Sequence, residues 1–445
     1  MARPSIPRGR VSGNVSMRLT GMKRQVTSLG GLPAVRMAWD TLGMNCILLE
    51  HGFEKRSGAP ATELAFAVTV EHLAQARSNV ELEKALQDPV LAACIGGRQV
   101  DETTLSRFRN DNRFDWGGVL EGVGERLQAF DLTRADEEGI LIVDDTIAEK
   151  AGEKIEGVRR LYDSSAERYV TGHSIVNLVY SGRRVFYPLA CEIVLPSSDG
   201  MEYLTKNDLA LCMLKGAVRR GFRQTVVHDS AYLCDDLMQF LDSANVPWVS
   251  KCKSNRILVY RGQRLHAHEL GSILARSRFR RHKRYRDIEY ASAIAELPGH
   301  GLCRFVVVRN FREDEPEGAD VGVKYLFASD ESVHGSTVVR LYKMRWKVEE
   351  YHRSAKQDLG LKDYQGRKLR GVIAHLMSVA LAHILVVFMK ACLPRLKGAS
   401  TGQLVRDFIC TSCRVNSHGA RLTVLYDRIL PYSEAIRHYQ MARAG

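Results

Sequence analysis

Tyr342, Arg345, Glu349 and Lys356 follow one another at offsets of 3, 7 and 14 residues from the tyrosine. At about 100° per residue, a single helix would gather all four into a ~60° sector. Arg353 joins that stripe, while Met344, Val348, Tyr351, Ala355 and Leu359 fall on the opposite, apolar side. One carboxylate flanked by cations and a phenol is a face able to hold a metal ion beside a phosphate. Most charged helical stripes are simply solvated, and spacing alone does not separate the two readings. Two upstream acids do. The apolar run 139–143 reads as a buried strand and ends at Asp144-Asp145-Thr146. The run 224–228 has the same character and ends at Asp229. Acids at two strand ends, with a third on a helix across the sheet, would converge. Converging carboxylates repel one another and favour a cation between them. Hard oxygen ligands suit Mg2+ or Mn2+. Two such ions about 4 Å apart can activate a water or a 3′-hydroxyl and stabilise the leaving oxygen of an in-line phosphodiester displacement.

Each acid has a neighbouring competitor. Side chains alternate along a strand, so only one of Asp144 and Asp145 can point at such a metal centre. Glu350 is rotated ~100° from Glu349, off the stripe. His228 reads as structural rather than as a ligand, and Trp248 and Trp346 read as core residues before they read as stacking platforms for a base.

The elements that must position these residues follow from pattern. Strands at 139–143, 169–180 and 185–195 precede a helix near 206–219. A strand ending at Asp229, a helix near 231–243 and a strand at 248–251 complete the series. The turn Ser181-Gly182-Arg183-Arg184 joins two of these strands as a hairpin. Three strands, helix, strand, helix, strand is the order of an RNase H-like core. The expected fold is therefore α/β. It has a mixed-sheet core in two pieces, 134–251 and 336–365, interrupted by a strand-rich insertion at 252–335 with strands near 257–260, 288–294, 303–308 and 323–327. Residues 1–133 read as a helical N-terminal DNA-binding domain, and 366–445 as a helical C-terminal region. Within the former, Gly96-Gly97 breaks the chain, and Asp101 can cap a helix that exposes Thr103, Ser106, Arg107 and Arg109 or Asn110. This pattern is similar to the second half of a helix-turn-helix.

Composition agrees with a polyanionic partner. Among 445 residues, Lys and Arg number 64 against 51 Asp and Glu, a net charge of +13. Residues 1–39 carry Arg3, Arg8, Arg10, Arg18, Lys23, Arg24 and Arg36. A second cluster holds Arg276, Arg278, Arg280, Arg281, Lys283, Arg284 and Arg286, interleaved with Phe279 and Tyr285. Cations neutralise phosphates and aromatic rings stack on bases, although a solvated basic loop has the same composition. The ten cysteines are scattered, mostly in apolar segments, which fits a reduced intracellular protein. Cys410 and Cys413 form a lone pair with His418 nearby, short of the four ligands of a structural zinc site. The apolar stretch 376–392 is short for a membrane span and reads as a buried helix.

The residues also resemble a known family. Tyr342, Arg345, Glu349 and Lys356 fit the Y-(2)-R-(3)-E-(6)-K signature found in one group of DDE transposases of bacterial insertion sequences. Asp144-Asp145-Thr146 looks like the first acidic block of that group. Val226-Val227-His228-Asp229-Ser230-Ala231-Tyr232 looks like the second. The similarity spans about half of the chain, 140–365, and includes the insertion. The family pattern of acid, any residue, threonine favours Asp144 over Asp145. The resemblance implies that Asp144, Asp229 and Glu349 hold two Mg2+ or Mn2+ ions. It also implies that Tyr342, Arg345 and Lys356 contact phosphates near the cleaved bond. The implied reaction is cut-and-paste transposition in the bacterial cytoplasm, at the nucleoid. Water nicks double-stranded DNA at the terminal inverted repeats of the element. The freed 3′-hydroxyl then attacks, through a hairpin in relatives, and joins target DNA. Pairing two ends implies a homodimer. Arg353, Arg107, Arg109, Arg280, Arg281, Lys283 and Arg284 are the further candidate DNA contacts. The alternatives are a metal-dependent nuclease without strand transfer and an inactive, transposase-derived DNA-binding protein.

Overall fold

The computed structural model describes residues 10–11, 15–16 and 25–425, apart from 153, 164–165, 197–203, 277–278, 311–321, 394–395 and 419–420. Arg3, Arg8, Arg18, Lys23, Arg24, Arg278 and the last twenty residues of the expected C-terminal region therefore lie outside the described residues.

Ile140–Glu149 lies at the centre of the fold. Its first four residues are apolar and buried, and they run parallel to Thr225–His228, with Val143 beside His228. Arg168–Ser181 lies antiparallel on the other side, Asp144 opposite Asn177. Phe186–Ile193 flanks that strand, and Trp248–Cys252 continues the parallel pairing beyond Thr225–His228. The strand expected to end at Asp144 runs on to Glu149. Only its parallel partner stops there, and the antiparallel ladder continues to Glu149 opposite Gly172. Asp144 and Asp229 thus each stand one residue past the last parallel pair, at the same level of the sheet.

The strands of the insertion join this same sheet. Lys324–Ala328 pairs with Trp248–Cys252, and Gly301–Arg309, Glu289–Leu297, Ile257–Tyr260 and Gln263–His266 follow outward, giving a sheet of twelve strands. The helix Ala267–Ala275 packs on their surface. Lys206–Arg219 and Asp235–Ser243 form part of the helical cover of the core, the former opened by a capping box between Thr205 and Asp208.

The segment 342–356 is not one helix. Gly335–Met344 and Lys347–Gln357 are separate, joined through Arg345 and Trp346. Across the joint the amides bond three residues back rather than four, Arg345 to Tyr342, Trp346 to Lys343, Val348 to Arg345 and Glu349 to Trp346. This tightening changes the angular step and breaks the stripe at its middle. The apolar face holds nonetheless, with Val348, Tyr351, Ala355 and Leu359 all buried.

Before the sheet come helices including Leu32–Thr41, Ala61–Val70, Glu102–Arg109 and Trp116–Gln128. Gly96 and Gly97 both adopt φ above +70°, a conformation that favours glycine and ends the preceding helix. The 24-residue helix Leu369–Cys392 packs against this group on one side and against Phe186–Ile193 on the other. Its most apolar window is 94 % buried, the role of a core helix. The C-terminal region is not wholly helical. Cys413–His418 and Arg421–Leu425 form a hairpin that adds Gln25–Thr27 as a third strand.

Candidate active site

Alternation along Ile140–Glu149 separates the two neighbouring aspartates. Asp144, whose side chain is 13 % exposed, meets Arg345 with Oδ2 at 2.5 Å from Nη1. Asp145 faces a different partner set, with Oδ2 accepting from Lys206 Nζ at 2.5 Å and Oδ1 from Tyr232 Oη at 2.9 Å. Asp144 is therefore the member of the pair that faces the helix carrying Glu349. That glutamate stands in the first turn of Lys347–Gln357, where a helix N-terminus favours an acid. Glu350 turns away to Lys347 Nζ, 2.7 Å distant.

Arg345 acts on all three acids, and two of them have a lysine nearby as well. Burial pushes the Asp144 carboxyl up, to about 6; Arg345 and His352 oppose that rise, and Glu349 and Asp145 add to it. Burial also acts upward on Asp229, but Lys251, the Ser230 amide and Arg345 outweigh it and leave Asp229 below the ordinary range. Glu349 is held low first by the neighbouring His352, against burial, and then by Arg345 and Lys356. The Arg345 guanidinium, 7 % exposed, thus acts on Asp144, Asp229 and Glu349 together. Sequence spacing placed Arg345 beside Glu349; the fold places it among all three acids.

The other expected contacts are distributed less uniformly. Tyr342 is 2 % exposed and offers little surface to a phosphate. Lys356 is half-buried, and burial lowers the proton affinity of its amine. Arg353 and Arg107 are exposed. Arg109, expected on the DNA-facing side of its helix, is instead 1 % exposed and paired with the buried Glu71. Three residues at this site went unnoticed in the sequence: Lys206, Asn177 and His352. Lys206 and Asn177 sit on other elements, brought in by helix packing and strand register, while His352 lies within the motif segment three residues after Glu349.

A cleft of about 450 Å³ opens beside Arg345, lined by Arg284, Tyr285, Arg340, Lys343, Trp346 and Arg183 among others. Arg280, Arg281, Lys283 and Arg284 are all exposed. The interleaved rings already have partners: Tyr285 stacks on His282 at 4.8 Å, and Arg309 covers Phe279 at 4.0 Å. A second cleft of about 590 Å³, lined by Ser230, Lys253, Arg256 and Arg264, borders the segment just after Asp229. One cleft thus borders Arg345 and the other Ser230, each with cations in its wall. Trp248 is fully buried in the core, and His228 is buried with its Nδ1 3.0 Å from the Asp229 carbonyl.

No curated protein matches the chain. Residues 83–296 match the family model of the DDE superfamily endonucleases, a span that includes Asp144 and Asp229 and ends before Glu349. With the large mixed sheet, that match supports a DDE-type transposase or endonuclease family, and with it metal-dependent cleavage of DNA.

Proposed function

We propose that this protein is a DDE transposase that cuts DNA at the ends of a mobile element and joins those ends to target DNA. The observation that carries the reading is the shared position of Arg345, one guanidinium acting on Asp144, Asp229 and Glu349 at once. Asp144, Asp229 and Glu349 give an all-oxygen donor set, and that set fits Mg2+ or Mn2+. Asp144, Asp229 and Glu349 would hold two such ions. When bound, the ions supply charge neutralisation and Lewis acidity for in-line displacement at phosphorus.

The protein's own groups account for the rest. Arg345 can present a planar fork to a phosphate next to the acids, and Lys356 a point charge. Glu349 lies at a helix N-terminus, which favours its ionised form. Asp144 gives up its proton less readily than an exposed aspartate, so it needs added positive charge to act as a ligand at moderately acid pH. The two clefts with cations in their walls suit a double-stranded substrate, and a homodimer would pair the two element ends.

The test is incubation of the purified protein with Mg2+ and DNA carrying the terminal inverted repeats. Hairpin and joined products are expected. Cleavage without joining would establish a nuclease instead, and binding without cleavage an inactive descendant.

A further inference from the structure

We infer that His352 is a positioning residue for Glu349, held in a single tautomer by Asn177. The inference rests on the proposed metal-binding role of Glu349. It starts from register. Asn177 lies directly opposite Asp144 on the neighbouring antiparallel strand, so both side chains emerge on the same face of the sheet. His352 lies on Lys347–Gln357, three residues after Glu349 and therefore on the same side of that helix. Packing of the helix over the sheet buries both: His352 is 3 % exposed and Asn177 1 %.

The hydrogen bonds decide where the proton sits. Asn177 Nδ2 lies 3.3 Å from the Ile175 carbonyl oxygen, which can only accept, so this amide end is the donor. The same Nδ2 lies 3.1 Å from His352 Nε2. A donor there requires Nε2 to accept, which puts the ring proton on Nδ1. Nδ1 faces Glu349 Oε2 at 3.8 Å. That separation closes to a hydrogen bond with a small rotation of the carboxylate, as groups at such sites do when a ligand draws them together. Asn177 thus fixes the imidazole, and the imidazole takes one carboxylate oxygen of Glu349, leaving the other for a cation. Partners that orient a ligating carboxylate typically contribute about 10- to 100-fold in metal affinity.

Mn2+ affinity measured by calorimetry on the full chain tests this, with Glu349→Gln as reference. His352→Phe and Asn177→Leu are expected to weaken Mn2+ binding about 10- to 100-fold while DNA affinity and thermal midpoint hold. His352→Gln, which keeps an N–H donor, should recover most of the loss. Unchanged Mn2+ affinity in a folded His352→Phe, where Glu349→Gln does weaken it, overturns the positioning role alone. If Glu349→Gln also leaves Mn2+ binding unchanged, the metal role of Glu349 fails and this inference with it. Should the variants not fold, the 15N spectrum of histidine-labelled wild-type protein decides: a protonated Nδ1 at His352 supports the inference, and a protonated Nε2 overturns it.

Discussion

Among the described residues two buried arginines each meet a carboxylate, and the two sites differ in how open their surroundings are. Arg345 serves three acids, one of them, Glu349, 36 % exposed and the group bordered by a cleft. Arg109 serves one, Glu71, and both are sealed, at 1 % and 4 % exposed. Around Glu71 stand His72 and His375, with ligand atoms within 4.8 Å of one another, the only such set among the described residues. Spacing alone would name this second cluster the metal site. Charge argues otherwise. Arg109 already neutralises Glu71, and the buried Lys150, whose Nζ bonds the Tyr364 carbonyl at 2.7 Å, acts on His375 as well. A dication would meet two cations in a dry interior, with too few anions to offset its desolvation. Both imidazoles are engaged elsewhere, His72 Nε2 with Ser378 Oγ at 2.8 Å and His375 Nε2 with the Gly360 carbonyl at 3.1 Å. The sealed cluster ties the N-terminal helices to Leu369–Cys392; the other lies beside a cleft and offers carboxylate oxygens.

Substitution should separate the two clusters most strongly in activity. Glu349→Gln or Asp144→Asn removes stabilisation worth several kcal/mol at the reacting phosphate, lowering cleavage at least about a thousandfold, with DNA binding nearly unchanged in both and the thermal midpoint nearly unchanged in Glu349→Gln. Cleavage gels and mobility shifts report this, and a variant that still cuts would remove the residue from the site. At the sealed cluster the pattern inverts. Glu71→Gln strands the buried Arg109 charge, and breaking such a pair costs about 3–5 kcal/mol, read by urea unfolding. A loss near zero would show that the pair is not the strut described here.

The contrast explains what could be read from the sequence and what could not. The convergence of Asp144, Asp229 and Glu349 was legible because apolar strand runs and a four-residue spacing carry their own periodicity. The order of core strands was legible for the same reason. The break at Arg345–Trp346 was not, since no Gly or Pro marks it. Nor was the fate of Arg109. Two positions from Arg107 on one helix, it faces inward because Glu71, 38 residues earlier, is buried opposite it. Asn177 is set opposite Asp144 by register and meets His352 only through packing of the helix over the sheet, which no local pattern reports. The C-terminal hairpin was missed because its alternation, Val415 and later Leu422 and Val424, is short and interrupted by Gly419.

Acid should move the two clusters in opposite directions. Burial lowers His72 to about 3 and His375 well below the ordinary histidine value, so the unfolded chain binds more protons between those values and about 6.5. Their contribution is full above pH 6.5 and is lost as pH falls. Asp144 is raised from 3.8 to about 6, so the folded chain binds the extra proton, and stability from this group falls as pH rises through that window. Each proton of difference is worth about 1.4 kcal/mol per pH unit. Asp144→Asn should therefore steepen the loss of stability between pH 6 and pH 4, measured by urea midpoints. A shallower profile would mean that Asp144 is not the acid under strain.

The smallest effect concerns which arginines meet DNA. Arg284 is exposed on the wall of the cleft beside Arg345, whereas Arg109 is enclosed by Glu71, Asn79 and the ring of Tyr364. Each phosphate contact releases condensed counterions and contributes about one to the slope of log affinity against log salt. Arg284→Ala should lower that slope by about 1 and weaken binding alike on all sequences, with no change in urea midpoint. Arg109→Gln, studied where circular dichroism shows it folded, should leave the slope where it was despite removing a full positive charge. Equal slope changes in the two variants would mean that enclosure does not decide which cation reaches the phosphates, and the distinction between strut and site would then have to rest on the carboxylates alone.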